Sequence, residues 1–179
     1  MNWFKKIFPP KQTSAKQIMS SQEFGDFLFA LSTEGVSSFM ASLDSLEFQF
    51  ISKKEEIDQI ELLIAFMWLF FDRMQNPKFA EAFTRLHSCF MTYIRGLGLD
   101  ESETWALLQR RYDEYRRTHR AQAEVNDTYD KVAHEIQSNI LGSEMPSTGV
   151  KFWHFLTISI QEHMIASGNL IRQIQIQSF

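Results

Sequence analysis

A run of ten consecutive apolar residues, Leu62 to Phe71, constrains the fold of this 179-residue chain more than any other feature. It is part of the segment IELLIAFMWLFFDRM, residues 60–74, and has Glu61 before it and Asp72 after it. A membrane span requires about 20 predominantly apolar residues, whereas a run of about 10–14 is more typical of a buried helix. A helix that is apolar on nearly all sides is surrounded by other helices. We therefore predict that this segment is the central helix of a soluble protein.

Apolar residues recur at helical spacing through most of the remaining sequence, and Gly (7) and Pro (4) are scarce. Residues 46–51 and 171–177 alternate apolar and polar residues, and the pattern leaves open whether they are helical or extended. It also leaves open whether the fifth and sixth helices are continuous. The first two predicted helices are 14–31 and one capped by Thr33. The central helix, over about 53–75, begins with a Ser52–Glu55 capping box, and a fourth runs from Asn76-Pro77 to the glycines at 96 and 98. A fifth helix is capped by Asp100, a sixth ends at Gly142, and a last one begins at Val150.

These patterns predict an all-α fold: a single bundle-like domain of six or seven helices over residues 14–179. A chain of this length buries a substantial core without disulfides or metals. Its single cysteine, Cys89, excludes an internal disulfide, which is typical of a reducing compartment. We expect a bacterial, cytoplasmic protein.

Residues 1–13 form a distinct leader, separated from the helical domain by Pro9-Pro10. Residues 1–22 contain four lysines and no acidic residue, whereas the rest of the chain has 14 basic and 22 acidic residues, a net charge of −8. In a helix, the apolar residues of the leader share one face and two lysines lie opposite, which suits an anionic membrane surface. The alternatives are that the leader folds back onto its own domain or docks onto a second copy. The candidate contact residues are Trp3, Phe4, Lys5, Lys6, Ile7 and Phe8.

The aromatic residues of the central helix are candidates for lining an apolar pocket. They are Phe66, Trp68, Phe70 and Phe71. Large side chains of this kind line most sites for flat or acyl ligands. The same residues at helical spacing are also typical of a densely packed core, and we favour that interpretation.

No catalytic, cofactor-binding or metal-binding residue is assigned from the sequence. The five histidines form neither a Glu-x-x-His pair nor a His-Glu-x-x-His motif. His87 and Cys89 are two positions apart, so that on a helix their side chains point in nearly opposite directions. No nucleophile elbow, phosphate-binding loop or dinucleotide-binding motif is present either.

The segment RRYDEYRRTHR, residues 110–120, is rich in arginine but does not predict nucleic-acid binding. Its arginines are spread around the helix, and the pairs Arg110–Glu114 and Asp113–Arg117 have the spacing of ion pairs. One narrow stripe should be the buried face of this helix: Trp105, Leu108, Tyr112, Tyr115 and His119.

The leading hypothesis is therefore a non-enzymatic intracellular interaction or adaptor module. It would associate peripherally with the inner face of a membrane through its leader, and it would bind a protein partner or a second copy of itself. The alternative is a carrier or sensor of a small apolar ligand, which would bind in the aromatic core. An enzyme ranks third, because a site assembled from scattered residues leaves no sequence motif.

Overall fold

The computed structural model describes residues 17–45, 58–123 and 130–141, together with 155, 157–159, 162, 169 and 174–176. Most of the described residues are helical, which confirms the predicted all-α fold. Residues 155, 157–159, 162 and 169 are also helical and fall within the last predicted helix. The remaining described elements are strand β1 (Gln17–Met19), helix α1 (Ser21–Ser45), helix α2 (Gln59–Arg73), a 3-10 turn (Pro77–Phe79), helix α3 (Ala80–Gly96), helix α4 (Glu101–Ala123), helix α5 (Asp130–Leu141) and strand β2 (Ile174–Ile176).

Helix α2 is the central helix that the apolar run predicts. Every residue from Glu61 to Phe70 is buried, because α1 packs on one side of α2 and α4 and α5 pack on the other. The side chain of Asp58 caps the helix by accepting hydrogen bonds from the backbone N–H groups of Ile60 (2.8 Å) and Glu61 (3.1 Å). The predicted central helix, about 53–75, is therefore too long: Asp58 is extended, and the helix spans Gln59–Arg73. The predicted capping box at Ser52 and residues 53–57 lie outside the described residues. In the described part of the chain, no helix combines the length and the apolar character needed to cross a membrane.

Helices α1 and α3 pack closely against each other. A Cβ atom at Gly25 would lie 2.5 Å from the carbonyl oxygen of Ala82, so that only glycine permits this close approach of the two backbones. Further along the pair, the ring of Phe29 lies 6.0 Å from that of Tyr93.

Helix α1 corrects the prediction of two separate helices, 14–31 and one capped by Thr33. It is continuous from Ser21 to Ser45. The Thr33 hydroxyl, which was predicted to cap a second helix, instead donates to the carbonyl oxygen of Ala30 (2.8 Å). The neighbouring Ser32 hydroxyl donates to that of Leu28 (2.9 Å). Hydrogen bonds of this kind are compatible with a continuous helix.

The start of α1 also differs from the prediction. Ser20 and Glu23 form a reciprocal capping box, in which the Glu23 carboxylate accepts from the Ser20 backbone N–H (2.9 Å) and the Ser20 hydroxyl accepts from the Glu23 N–H (3.2 Å). The predicted helix start is thus wrong for 17–19, which form β1, while 14–16 lie outside the described residues. Strand β1 pairs in parallel with β2, so the alternating pattern at 174–176 is extended.

The later helices agree with the predicted boundaries. Asn76 caps the 3-10 turn that leads into α3, since its side chain accepts from the Lys78 N–H (3.1 Å). Helix α3 ends in a Schellman motif, with Gly98 at φ 71°. Asp100 caps α4 through the Glu103 N–H (2.9 Å). Helices α4 and α5 pack against each other, since Asn139 donates to the Tyr115 hydroxyl at 3.3 Å, so that they do not form one straight helix. Residues 124–129 between them lie outside the described part of the chain.

Candidate functional site

The four predicted pocket residues all lie on α2, but they face different neighbours. Phe66 packs against Gly35 of α1, where a Cβ would come within 3.2 Å of its ring. Trp68 instead faces α4, with its ring edge-on to those of Tyr115 (5.4 Å) and His119 (6.0 Å). Phe70 is buried. Phe71 is only partly buried; its ring contacts those of Phe83, edge-on, and Tyr112, and the guanidinium of Arg116 lies over it. The structure therefore does not gather these side chains on one surface.

The indole nitrogen of Trp68 is the most unusual polar atom in this aromatic core. The side chain is fully buried, and its Nε1–H has no hydrogen-bond partner among the residues that the structure describes. A buried donor left without an acceptor costs about 1–3 kcal/mol. An acceptor atom on an apolar ligand that reached this position would recover that free energy.

Beside Trp68, the imidazole of His119 contacts a carboxylate. Its Nδ1 lies 3.1 Å from Oδ1 of Asp72, and the two side chains are 26% and 15% exposed. The pair connects the last turn of α2 to α4 at the edge of the core. The contact orients the imidazole and thereby holds it edge-on to Trp68.

An ion pair that the sequence did not predict links α2 to α4. The Nε–H group of Arg111 donates to both carboxylate oxygens of Glu61, at 2.9 and 2.8 Å, and its Nη1 donates to Glu114 at 2.7 Å. Glu61 is only 4% exposed. Burial by itself lowers the pKa of Arg111, but the hydrogen bonds and negative charges of the two glutamates outweigh it and raise that pKa. Arg111 therefore stays charged inside the protein.

Cys89 belongs to a second polar cluster, between α1 and α3. Its thiol donates to Oδ1 of Asp26 at 3.0 Å, and the same oxygen accepts from Nε of Arg85 at 2.6 Å. The hydrogen bond from Arg85 and then that from Cys89 lower the pKa of Asp26. Burial and the Asp26 carboxylate raise the pKa of Cys89 to about 11, so that the sulfur stays protonated and weakly nucleophilic at neutral pH.

His87 of α3 is held between aromatic rings of α4. Its ring lies edge-on to Trp105, with centroids 5.5 Å apart, and its Nε2 is 3.4 Å from the hydroxyl of Tyr112. Burial lowers the pKa of His87 from 6.5 to about 4. The imidazole is therefore neutral in the folded protein at physiological pH.

His87 should make the stability depend on pH between about 4 and 6.5. In this window the unfolded chain takes up a proton that the folded protein excludes, so the free energy of unfolding falls as the pH is lowered. The full shift corresponds to about 3 kcal/mol, which is lost by pH 4. Urea denaturation of the wild type and of His87→Phe at several pH values would measure this. Equal pH profiles for the two proteins would show that His87 does not titrate as described.

A patch of exposed apolar side chains lies where α3 ends. We call it the α3 end patch: Tyr93, Leu97 and Leu99, which are 41%, 51% and 45% exposed. Tyr93 and Leu97 are one turn apart on the same face of the helix. The Schellman motif brings Leu99 back beside them, because its N–H donates to the Ile94 carbonyl at 3.2 Å.

Acidic residues directly follow the α3 end patch in the chain: Asp100 is next to Leu99, and its carboxylate accepts from the N–H of Glu103 in the first turn of α4 (2.9 Å). Asp100 and Glu103 are exposed, and neither has an ion-pair partner within the described part of the chain. Glu101 is paired with Arg95 through two hydrogen bonds of 2.8 Å. The border of the patch is therefore negatively charged. In the sequence, this patch is indicated by Leu97 and Leu99, the two leucines that flank Gly98.

The arginine-rich segment has the predicted buried stripe. Its residues Leu108, Tyr112 and Tyr115 are buried, and Trp105 and His119 are partly buried. The ion pairs differ from those predicted: Glu114 pairs with Arg111, and Asp113 with Arg116 at 3.6 Å.

The remaining predicted contact residues are those of the leader. The leader, which contains Trp3, Phe4, Lys5, Lys6, Ile7 and Phe8, lies outside the described residues. Within the described ranges, no group of three or more His, Cys, Asp or Glu side chains could hold a metal ion.

Comparison of the chain with protein-family models, with curated proteins and with solved structures finds no match.

Proposed function

We propose that this protein is a helical interaction module that attaches to the inner, anionic face of a membrane through its leader. The observation that carries the proposal is the separation of charge along the chain. Residues 1–22 have a net charge of +4, and the remainder has a net charge of −8. Each lysine near an anionic bilayer contributes about 1 kcal/mol, and the aromatic residues of the leader add apolar contact with the lipid.

The described residues that follow the leader are compatible with this attachment. Ile18 of β1 is 63% exposed and lies two positions after Lys16, so that an apolar side chain continues the leader at the surface. Met19 packs against the core, and β1 is paired with β2. The position from which the leader departs is therefore held by the helical body.

Co-sedimentation with vesicles that contain phosphatidylserine tests the proposal. Intact protein should bind and should be released as the salt concentration rises. The double variant Lys5→Glu/Lys6→Glu should bind at least about thirtyfold more weakly, since two favourable contacts of about 1 kcal/mol each are lost. The variant Arg110→Glu/Lys131→Glu, which changes the net charge equally at exposed positions of the body, is the matched control and should bind as the wild type does.

Removal of residues 1–11 separates attachment from a structural role. The truncated protein should remain in the supernatant and stay folded. A truncated protein that no longer unfolds cooperatively, together with no vesicle binding by the intact protein, would mean that the leader is an integral part of the fold and does not bind membranes.

The carrier of a small apolar ligand is a second candidate function, which the unsatisfied Nε1–H of Trp68 favours. A ligand with an acceptor atom would hydrogen-bond to this nitrogen inside the aromatic core. Native mass spectrometry of the purified protein should then show an adduct that is absent from Trp68→Phe. Identical spectra without any adduct for both proteins would count against a carrier.

A further inference from the structure

The α3 end patch continues the stripe of α3 that packs into the core. Leu86 and Phe90 on this stripe are fully buried, whereas Tyr93 and Leu97, one and two turns further on, are 41% and 51% exposed. Phe29 of α1 contacts Tyr93 but leaves the leucines uncovered. Contiguous apolar side chains with a polar border mark a binding surface more often than isolated ones do.

The leader of the same chain has the chemistry that this surface requires. Its tryptophan, phenylalanines and isoleucine would cover the apolar side chains, and its lysines would face the negative border formed by Asp100 and Glu103. The α3 end patch is thus complementary to the leader in both apolar character and charge.

The leader is also long enough to reach the patch. Phe29 contacts the patch and lies eight residues into α1, which is about 12 Å from the start of that helix. From Phe8 to Gln17 the chain has nine residues, which span about 30 Å when extended. Gln17 lies at most about 13 Å from Ser21 and thus within about 25 Å of Phe29, so that the span of the leader exceeds this distance.

We propose that, away from a membrane, the leader docks on the α3 end patch of its own chain. A bilayer then competes with the patch for the same apolar residues, and membrane attachment uncovers Tyr93, Leu97 and Leu99. Only this competition rests on the membrane attachment proposed above; docking in solution does not depend on it.

Paramagnetic relaxation tests the docking in the absence of lipid. A nitroxide is attached to Asn2→Cys in a Cys89→Ser background, which keeps a hydroxyl donor for Asp26. The methyl signals of Leu97 and Leu99 should be broadened, whereas those of Val132 and Ile140 in α5 should not. Unbroadened leucine signals would overturn the proposal. Equal broadening in a mixture of spin-labelled and isotope-labelled chains would overturn it as well, because the leader would then dock on a second copy.

A charge reversal with a matched control tests the role of the acidic border. Glu103 and Glu81 are exposed glutamates in the first turns of α4 and α3. Glu103→Lys and the control Glu81→Lys therefore change the net charge by the same amount, and each places a positive charge at the N-terminus of a helix. Only Glu103→Lys should reduce docking, by about two- to fivefold. Equal effects of the two variants would contradict the assigned border.

Vesicle binding tests whether the patch and the bilayer compete for the leader, separately from whether the leader binds a bilayer. The double variant Leu97→Gln/Leu99→Gln removes the docking surface by changes at exposed positions. The leader should then bind vesicles several-fold more tightly. The increase should be larger the greater the fraction of wild-type molecules in which the leader is docked. Unchanged vesicle affinity, with broadening in the wild type, would overturn the competition alone. If the intact protein does not bind vesicles at all, the membrane function fails, and the relaxation experiment still decides whether the leader docks.

Discussion

Replacing Arg111 by leucine is expected to lower the free energy of unfolding by about 3–5 kcal/mol, because it leaves the buried carboxylate of Glu61 without its partner. The side chain of Glu61 is 6% exposed, so water cannot compensate for the lost hydrogen bonds. Urea denaturation followed by circular dichroism measures the change. Arg110→Leu, at the neighbouring exposed position, is the control and should change stability by less than about 0.5 kcal/mol.

The double variant Glu61→Leu/Arg111→Leu should recover most of the lost stability. Two apolar side chains then replace the ion pair inside the core, and no uncompensated charge remains on α2. Glu114 is 22% exposed and can be solvated once Arg111 is absent. A double variant as unstable as Arg111→Leu alone would show that the loss comes from packing and not from the isolated charge of Glu61.

Replacing Phe70 by alanine should cost about 3–5 kcal/mol, since a fully buried ring is removed and a cavity remains. Phe71→Ala is the comparison on the same helix, and it should cost less because Phe71 is only partly buried. The same denaturation experiment gives both values. A cost below about 1 kcal/mol for Phe70→Ala would indicate an adaptable site in the core, which would favour the apolar-ligand carrier.

The central position of α2 was predictable from sequence because its apolar residues cover nearly the whole circumference of the helix. A single residue such as Thr33 is a weaker signal, since its hydroxyl either caps a new helix or donates to the preceding turn. Local sequence does not distinguish these outcomes; the packing of α1 against α2 and α3 does. The capping box of Ser20 and Glu23 has the sequence signature Ser-x-x-Glu, which marks the start of α1 more sharply than the apolar spacing that follows it.

The polar contacts were less predictable than the helices. Glu61 and Arg111 are far apart in the sequence, and their pairing depends on how α2 and α4 are placed in space. Glu61 is the only charged residue in the buried part of α2, which signals that it requires a partner but does not identify one. The α3 end patch was missed for a related reason, because helical spacing alone does not reveal where the covering helix ends.

The parallel pairing of β1 with β2 affects the order in which the protein can assemble. Gln17 is opposite Ile174, so the contact joins segments separated by most of the sequence, and a ribosome makes one of them long before the other. Closing so large a loop carries a high entropic cost, which places this pairing late in folding. Throughout synthesis of the helices, the segment that holds the base of the leader therefore lacks its partner strand. The direction in which the leader departs from the body would be set only after residues 174–176 have been made.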